Sequence, residues 1–396
     1  IKFLIDKKQF RKNLQRNAHK NFLFTNKYSS NLIDDLRTSL ILKRVNINFN
    51  ADKKLKIIYI TNFNERFNGR LHYNTGKRIN NGLIKLGHNV LTLSDRDIIS
   101  NYKSLVDPSG KKILNTKIIE CCKNFNPDMI IMGHADNVQT RTLDYLKNKN
   151  KNLKICQWFL DPITKYGPDY TNNKSRLLKS EKFFDASFIT TDPKSIDFNL
   201  SNSFFMPNPA DDSFEILKNY ETNPHNDLFF AMSHGVHRGT LKTGKDDDRE
   251  KLLKKLIINN KEIKFDFYGF EKKQPIWGDD FINTLSNSKM GLNLSRGKPI
   301  KYYSSDRLAQ LMGNGLLTFI DERTCYSDFF TNKEIVTYKN YNDLVEKILR
   351  YKKNDKERKL IAKNGKLKYL KYFNSTVVAE YIINKTYGLK KKYYWE

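Results

Sequence analysis

Between Ser286 and Asp321 the chain reads SNSKMGLNLSRGKPIKYYSSDRLAQLMGNGLLTFID, where cations, hydroxyls and amides crowd a short interval. Ser295, Arg296, Lys298, Lys301, Tyr303, Ser304, Ser305 and Arg307 are the candidates for holding an anion. Cations neutralise phosphate oxygens, hydroxyls donate to them, and the N–H groups at a helix start are unpaired donors. A diphosphate suits this set. Tyr303 fits stacking on a base or sugar and an ordinary structural place equally well. His72, His134 and Asp161 are candidate general bases toward a hydroxyl, with a hydrogen-bonded structural role competing in each case. Asp95-Arg96-Asp97 spells a divalent-metal pattern, and His234 and His237 form a formal metal pair. The histidines have no carboxylate or thiol partner fixed by spacing, and a three-residue acidic pattern arises cheaply by chance, so no metal is expected.

These residues need a frame. Met290 to Leu294 reads as a strand, followed by a polar loop, a helix from Ser305 to Met312, a break at Gly313 and Gly315, and a strand from Leu316 to Ile320. In open α/β sheets, ligands sit at the carboxyl ends of such strands and at helix N-termini. Ser304 or Ser305 is expected to cap the helix, with Asp306 pairing Arg307 or Arg296. Upstream, LKIIYIT, HNVLTLS, PDMIIMGHAD, LKICQWFLD and DASFITTD are apolar for about five residues each. Together with intervening helical stretches they predict a parallel sheet covered on both faces. His134, Asp136, Asp161 and Asp192 would line one edge of it. The first unit has no GxGxxG, so no dinucleotide is inferred. FFMPNPADDSFE, with two prolines, reads as a hinge near 206–214. A second set of strands and helices follows, with a break expected at Gly365.

The 286–321 stretch resembles the C-terminal donor domain of GT-B glycosyltransferases, nearest in pattern to the CgeB/YkvP-like branch. The pattern is a strand ending in Asn-Leu, then Arg-x-Phe-Glu, four residues and a glycine. Here it is carried by Asn293-Leu294, Arg307, Leu308, Ala309, Gln310 and Gly315. Ala309 replaces the aromatic, and Gln310 replaces the Glu that accepts from the donor ribose, an uncharged acceptor in place of a charged one. The resemblance implies that Gly235 and Arg238, in SHGVHRG, approach the donor diphosphate, and that Asn68, Gly69 and His72 lie on a loop facing the cleft. It implies an α/β GT-B fold, with two Rossmann-like domains whose parallel sheets face across a cleft. The expected divisions are a basic helical extension (1–52), an acceptor domain (53–208), a nucleotide-sugar donor domain (209–372) and a C-terminal helix crossing back to the first domain (373–389). The implied activity is metal-independent, hexosyltransferase-like transfer from a nucleotide-diphosphate sugar, a co-substrate rather than a cofactor. The acceptor would be a glycan or lipid-linked hydroxyl in cell-surface polysaccharide, lipopolysaccharide or glycolipid synthesis. A non-catalytic polyanion-binding or assembly protein on the same fold is the alternative, motivated by Gln310 and the charge.

That charge is +28 over 396 residues. It predicts attraction to nucleic acid, an anionic membrane face or an acidic glycan, although enrichment of Lys, Asn and Ile together reads equally as compositional drift. Residues 1–53 hold 12 Lys and Arg against four Asp and Glu, a denser excess. In that segment IDKKQFRKNLQRNAHKNFLF and NLIDDLRTSLILKRV are amphipathic, fit to pack on the body, touch an anionic membrane or meet a partner. No RNA-binding or helix-turn-helix motif is visible, and dedicated nucleic-acid binding is not expected. Hydrophobic residues at 39% and aromatics at 13% support cored domains and exclude a disordered chain. No apolar run approaches a membrane span. Cys121, Cys122, Cys156 and Cys325 show no CxxC spacing, as for reduced thiols in a cytosolic protein. The expected location is cytoplasmic, extending to a peripheral place at the inner face of the membrane.

Overall fold

A computed structural model describes residues 7–21, 33, 54–165, 167, 169–233, 236–237, 240–241, 248–271 and 273–396. It divides into two units, 1–54 and 55–396. The described part of the first is essentially one helix, α1 (Lys8–Asn21), with no acidic residue in its first turn and with Phe10 and Leu14 half exposed. The helix expected over NLIDDLRTSLILKRV lies, but for Ile33, outside the described residues. Among the described residues no helix is long and apolar enough to cross a membrane.

The second unit is built on two parallel sheets. The first contains β1 (Lys56–Thr61), β2 (Asn89–Ser94), β3 (Met129–Gly133), β4 (Lys154–Phe159), β5 (Ala186–Ile189) and β6 (Ser203–Phe205), in the order β2-β1-β3-β4-β5-β6. Its inner strands are almost entirely buried, which is why they read as continuous apolar runs rather than alternating ones. Helices α2 (Thr75–Lys85), α3 (Asp95–Tyr102), α4 (Lys111–Phe125), α5 (Thr140–Lys149) and α6 (Tyr170–Leu178) connect them. Ile58, Ile130 and Ile155 of the sheet pack in one core with Leu114 of α4 and Leu143 of α5.

The second sheet contains β7 (Asn226–Ala231), β10 (Phe265–Tyr268), β11 (Ser288–Asn293), β12 (Leu317–Asp321) and β13 (Val336–Tyr338), in the order β10-β7-β11-β12-β13. A short antiparallel pair, β8 (Val236–His237) and β9 (Thr240–Leu241), follows β7. Helices α7 (Asp248–Asn259), α8 (Gly278–Leu285), α9 (Arg307–Gly313), α10 (Tyr341–Lys353) and α11 (Asp355–Tyr372) complete this half. Its core joins Leu228, Phe230, Leu292 and Phe319 to Leu253 of α7 and Leu344 of α10. The turn from α9 into β12 passes through Gly315 at φ +76°, a left-handed conformation that costs glycine nothing. Gly365 does not break its helix: α11 is continuous. A Cβ there would sit 2.3 Å from the carbonyl oxygen of Glu334, so the glycine permits close packing rather than a bend.

The two halves are tied at the passage between the sheets. Arg78 of α2 and Glu215 form an ion pair with both side chains about 1% exposed, and Arg78 Nε lies 3.2 Å from each carboxylate oxygen. Lys366 of α11 donates to the carbonyls of Glu215 and Leu217 at 3.0 and 2.6 Å. The last helix, α12 (Ser375–Thr386), opens with Ser375 Oγ donating to Asp211 at 2.6 Å. It then lies on the first sheet, with Tyr381 5.6 Å from the ring of Phe188 and Tyr387 donating to the Asp128 carbonyl at 3.3 Å.

Candidate functional site

The carboxyl ends of strands from both sheets open onto one cavity of about 820 Å³. From the second sheet's side it is lined by Ser233, Arg249, Ser295, Arg296, Tyr303, Ser305, Asp306 and Arg307. From the first come Arg96, Asp136, Asp161, Asp169, Asn172, Asn173, Ser175 and Arg176. The first group has three arginines to one aspartate; the second has two arginines to three aspartates.

Arg307 is the pivot of the cationic wall. It is mostly buried, with Nε donating to the Ala231 carbonyl at 3.0 Å. Nη1 donates to the Leu294 carbonyl at 3.0 Å and to Ser305 Oγ at 2.9 Å, and the guanidinium lies 4.5 Å from the centre of the Phe230 ring. Ala231 and Leu294 stand at the carboxyl ends of β7 and β11, so one side chain brackets two strand ends while still lining the cavity. Ser305 Oγ in turn donates to Asn293 Oδ1 at 3.2 Å, which places Asn293 beneath the cavity floor. Tyr303 is buried at the wall, and burial raises its phenol well above the ordinary value.

Other predicted residues fall elsewhere. Ser304 is buried away from the cavity, its hydroxyl 2.8 Å from the Tyr326 hydroxyl and 3.3 Å from Asn208 Nδ2. The helix starts at Arg307 after Asp306, with no side-chain cap, so the expected serine cap is absent because both serine hydroxyls have other partners. Arg296 reaches across to Asp169 at 3.5 Å, and Lys301 pairs with Asp192 at 3.4 Å. Lys298 is exposed on the loop and does not line the cavity. Gly235, Arg238 and His234 lie outside the described residues.

On the first wall, Asp161 lines the cavity and accepts from Arg176 Nη1 at 3.1 Å. The same arginine pairs with Asp136 at 2.8 Å, and Arg96 meets Asp136 at 3.4 Å. His134 stands behind this pair. Its Nε2 accepts from the Leu160 N–H at 2.9 Å, Nδ1 lies 2.8 Å from Arg176 and 3.6 Å from Asp161, and the ring stacks on Phe159. Burial lowers its pKa, which favours a neutral ring. His72 is exposed beside Phe214, 5.3 Å between ring centres, and with Asn68 and Gly69 it lines neither this cavity nor the next. Of the three candidate bases, only Asp161 lines the cavity. Asp95 and Asp97 do not form a metal pair. Asp97 accepts from the backbone N–H groups of Glu65 and Arg66, and Asp95 is fully buried. The arginine between them is the residue that faces the cavity.

A second cavity of about 210 Å³ adjoins the first, sharing Ser233, Asp306 and Arg307. Ile276, Trp277 and Phe281 give it an apolar wall, and Gln310 of α9 lies at its side. The loop after β1 closes it from the first half: Tyr73 donates to Asp279 at 2.6 Å, and Arg70 sits 5.4 Å from the Trp277 ring centre. Trp277 Nε1 is buried with no hydrogen-bond partner among the described residues. Sequence reasoning missed this pocket, as well as Arg96, Arg176 and Arg249. Arg249 alone had a local signal, its place in the first turn of the helix in DDDREKLLKKLII.

Comparison with known proteins agrees with the architecture. A family model described as glycosyl transferase-like matches residues 249–384. No curated protein matches the chain by sequence. Among solved structures, HepE from Anabaena in complex with UDP and glucose superposes with a TM-score of 0.52 at 10% identity, over 85% of this chain and 100% of that one. Sucrose-phosphate synthase from Thermosynechococcus elongatus gives 0.51 at 9% identity, over 83% and 98%. A UDP-forming α,α-trehalose-phosphate synthase from Burkholderia xenovorans gives 0.51 at 9%, over 85% and 100%. Likeness at this identity fixes the fold, which is GT-B: two Rossmann-like halves with parallel sheets facing a cleft, as the sequence leads one to expect.

Proposed function

We propose that this chain is a glycosyltransferase of the CgeB/YkvP-like kind, moving a sugar from a nucleotide-diphosphate donor to a hydroxyl acceptor. The observation that carries the proposal is the pair of adjoining cavities, a small aromatic pocket opening onto a wall of arginines and hydroxyls. A nucleoside diphosphate has the same two parts in the same order. Its base stacks beside Trp277, whose N–H has no acceptor among the described residues, and Gln310 takes the ribose hydroxyls. Arg249, Ser295 and Ser305 face the diphosphate. In the transfer, the bond from the sugar C1 to the diphosphate oxygen breaks and the acceptor oxygen bonds to C1. Negative charge grows on the leaving diphosphate, and fixed arginines aimed there lower the barrier without a metal. Asp161, held by Arg176, receives the acceptor's proton. The acceptor is a glycan or lipid-linked hydroxyl at the cell surface's biosynthetic side, and UDP-bound HepE makes UDP the first nucleotide to try.

The test is thermal denaturation with UDP, GDP, ADP, TDP and CMP and their common sugar conjugates, in EDTA throughout, on wild type and Trp277→Ala. A ligand that binds only the folded chain raises Tm by mass action, about 2.7 kcal/mol of stabilisation at a hundredfold excess over Kd. One nucleotide stabilising the wild type and not the variant supports the site and names the base. No response from a folded protein refutes the transferase reading and favours polyanion binding. The panel is run a second time with a divalent cation in place of EDTA, and stabilisation seen only with the cation refutes metal independence. An Asp161→Asn variant that binds the nucleotide and no longer transfers is the signature of the base.

A further inference from the structure

The two walls of the large cavity differ in sign, and the difference bears on the acceptor. This inference rests on the transferase reading. About 820 Å³ is near the top of the range of about 300–1,000 Å³ for small-molecule sites, room for a donor sugar and an acceptor together. The second-half wall is cationic and suits the diphosphate. The acceptor is left the first-half wall, where Asp136, Asp161 and Asp169 stand among Asn172, Asn173 and Ser175. The arginines there are engaged with those carboxylates: Arg176 with Asp136 and Asp161 at 2.8 and 3.1 Å, Arg96 with Asp136 at 3.4 Å. Even Arg296, from the opposite wall, reaches Asp169 at 3.5 Å.

A phosphate, sulfate or carboxylate entering that wall would meet three carboxylates whose countercharges are already engaged. To be neutralised there the anion would have to take an arginine from its aspartate, which would leave a bare carboxylate beside it, and it is disfavoured accordingly. A polyol meets the opposite situation, because carboxylates and amides accept from neighbouring hydroxyls and the amides also donate. We infer that the acceptor is an uncharged, polyhydroxylated sugar or polyol, and that Asp136, Asp161 and Asp169 select it against acidic glycans. The bulk charge of +28 argues for an acidic partner, but this wall does not share that sign. Whatever polyanion the rest of the surface attracts, it is not what this wall is built to hold.

The experiment is saturation-transfer NMR on the full chain, with the nucleoside diphosphate that raises Tm present in excess to fill the cationic wall. Methyl glucoside, methyl galactoside and maltose are compared with glucuronate, galacturonate and glucose 6-phosphate. Neutral sugars are expected to bind at least about tenfold more tightly than their acidic counterparts. Asp136→Asn frees the pairing of Arg96 and Arg176 and is expected to narrow that gap, with Asp169→Asn as a second variant if the first fails to fold. Acidic sugars binding as well as neutral ones overturn the inference, as does a preference that neither variant moves, or no signal from any sugar. Failure of the transferase reading shows separately, as no nucleotide response in the thermal assay. The same sugar panel without nucleotide then still decides the selectivity of the wall.

Discussion

Replacing Arg307 by Met should damage the fold as well as ligand binding, because this side chain is a bracket before it is a ligand. It donates to the carbonyls of Ala231 and Leu294, both at 3.0 Å, and so joins the ends of β7 and β11. Hydrogen bonds from a charged donor are worth about 1.5–3 kcal/mol each, and a buried carbonyl left unsatisfied costs about 1–3 kcal/mol. Methionine retains much of the contact with Phe230 but supplies no donor. The two lost carbonyl bonds, partly compensated by water entering from the cavity, which also serves the Ser305 hydroxyl, come to about 3 kcal/mol. For a domain of about 150–250 residues, 1 kcal/mol moves Tm by about 2–4 °C, so a fall of about 6–12 °C is expected. Arg307→Lys should recover less than half, since an ammonium cannot span both carbonyls as a planar fork does. Differential scanning fluorimetry reads the shift, and the nucleotide panel on the same variants reads binding. A variant that keeps the wild-type Tm within about 2 °C and loses nucleotide binding would refute the bracket and leave Arg307 as a ligand only.

Two further outcomes follow from buried charge. Burial raises the Asp95 acid to about 6. Between about pH 4 and 6 the folded chain holds that proton and the unfolded chain does not, so the wild type loses stability as pH rises through this window, by about 3 kcal/mol in all. Asp95→Asn has no such loss: urea midpoints of the two proteins should nearly coincide near pH 4 and diverge in the variant's favour by pH 7.5, and a constant gap would show that the carboxyl is ionised throughout. Glu215→Leu strands Arg78 as a buried, uncompensated charge and should cost about 3–5 kcal/mol, whereas the double change with Arg78→Met should restore most of it; chemical denaturation of the three variants checks this, and a double variant as weak as the single one defeats it.

What could be read from the chain divides along the range of the contacts. The strands were visible because a buried parallel strand is apolar on both faces: KIIYIT, MIIMG and KICQWF need no partner to be recognised. Asp161 and Asp136 were visible as polar ends of such runs. Arg176 and Trp277 were not, since one sits in the last turn of a helix and the other in a loop, and only chain topology brings each to a cavity. Ser304 shows the converse error. Its spacing is right for a helix cap, yet Tyr326 and Asn208 claim the hydroxyl, and neither claim has a local mark. His134 is similar: a histidine after a strand looks like a base until Leu160 and Arg176 are seen to occupy its two nitrogens.

The path of α12 has a consequence for how this chain must come to be folded. The helix that lies against Phe188 and Asp128 follows the whole second half in the chain, while the sheet it covers is made much earlier. During synthesis the first half therefore waits, one face uncovered, until the whole second half has emerged. A chain cut between the two sheets should leave an N-terminal fragment that aggregates and that the C-terminal fragment, supplied in trans, can rescue.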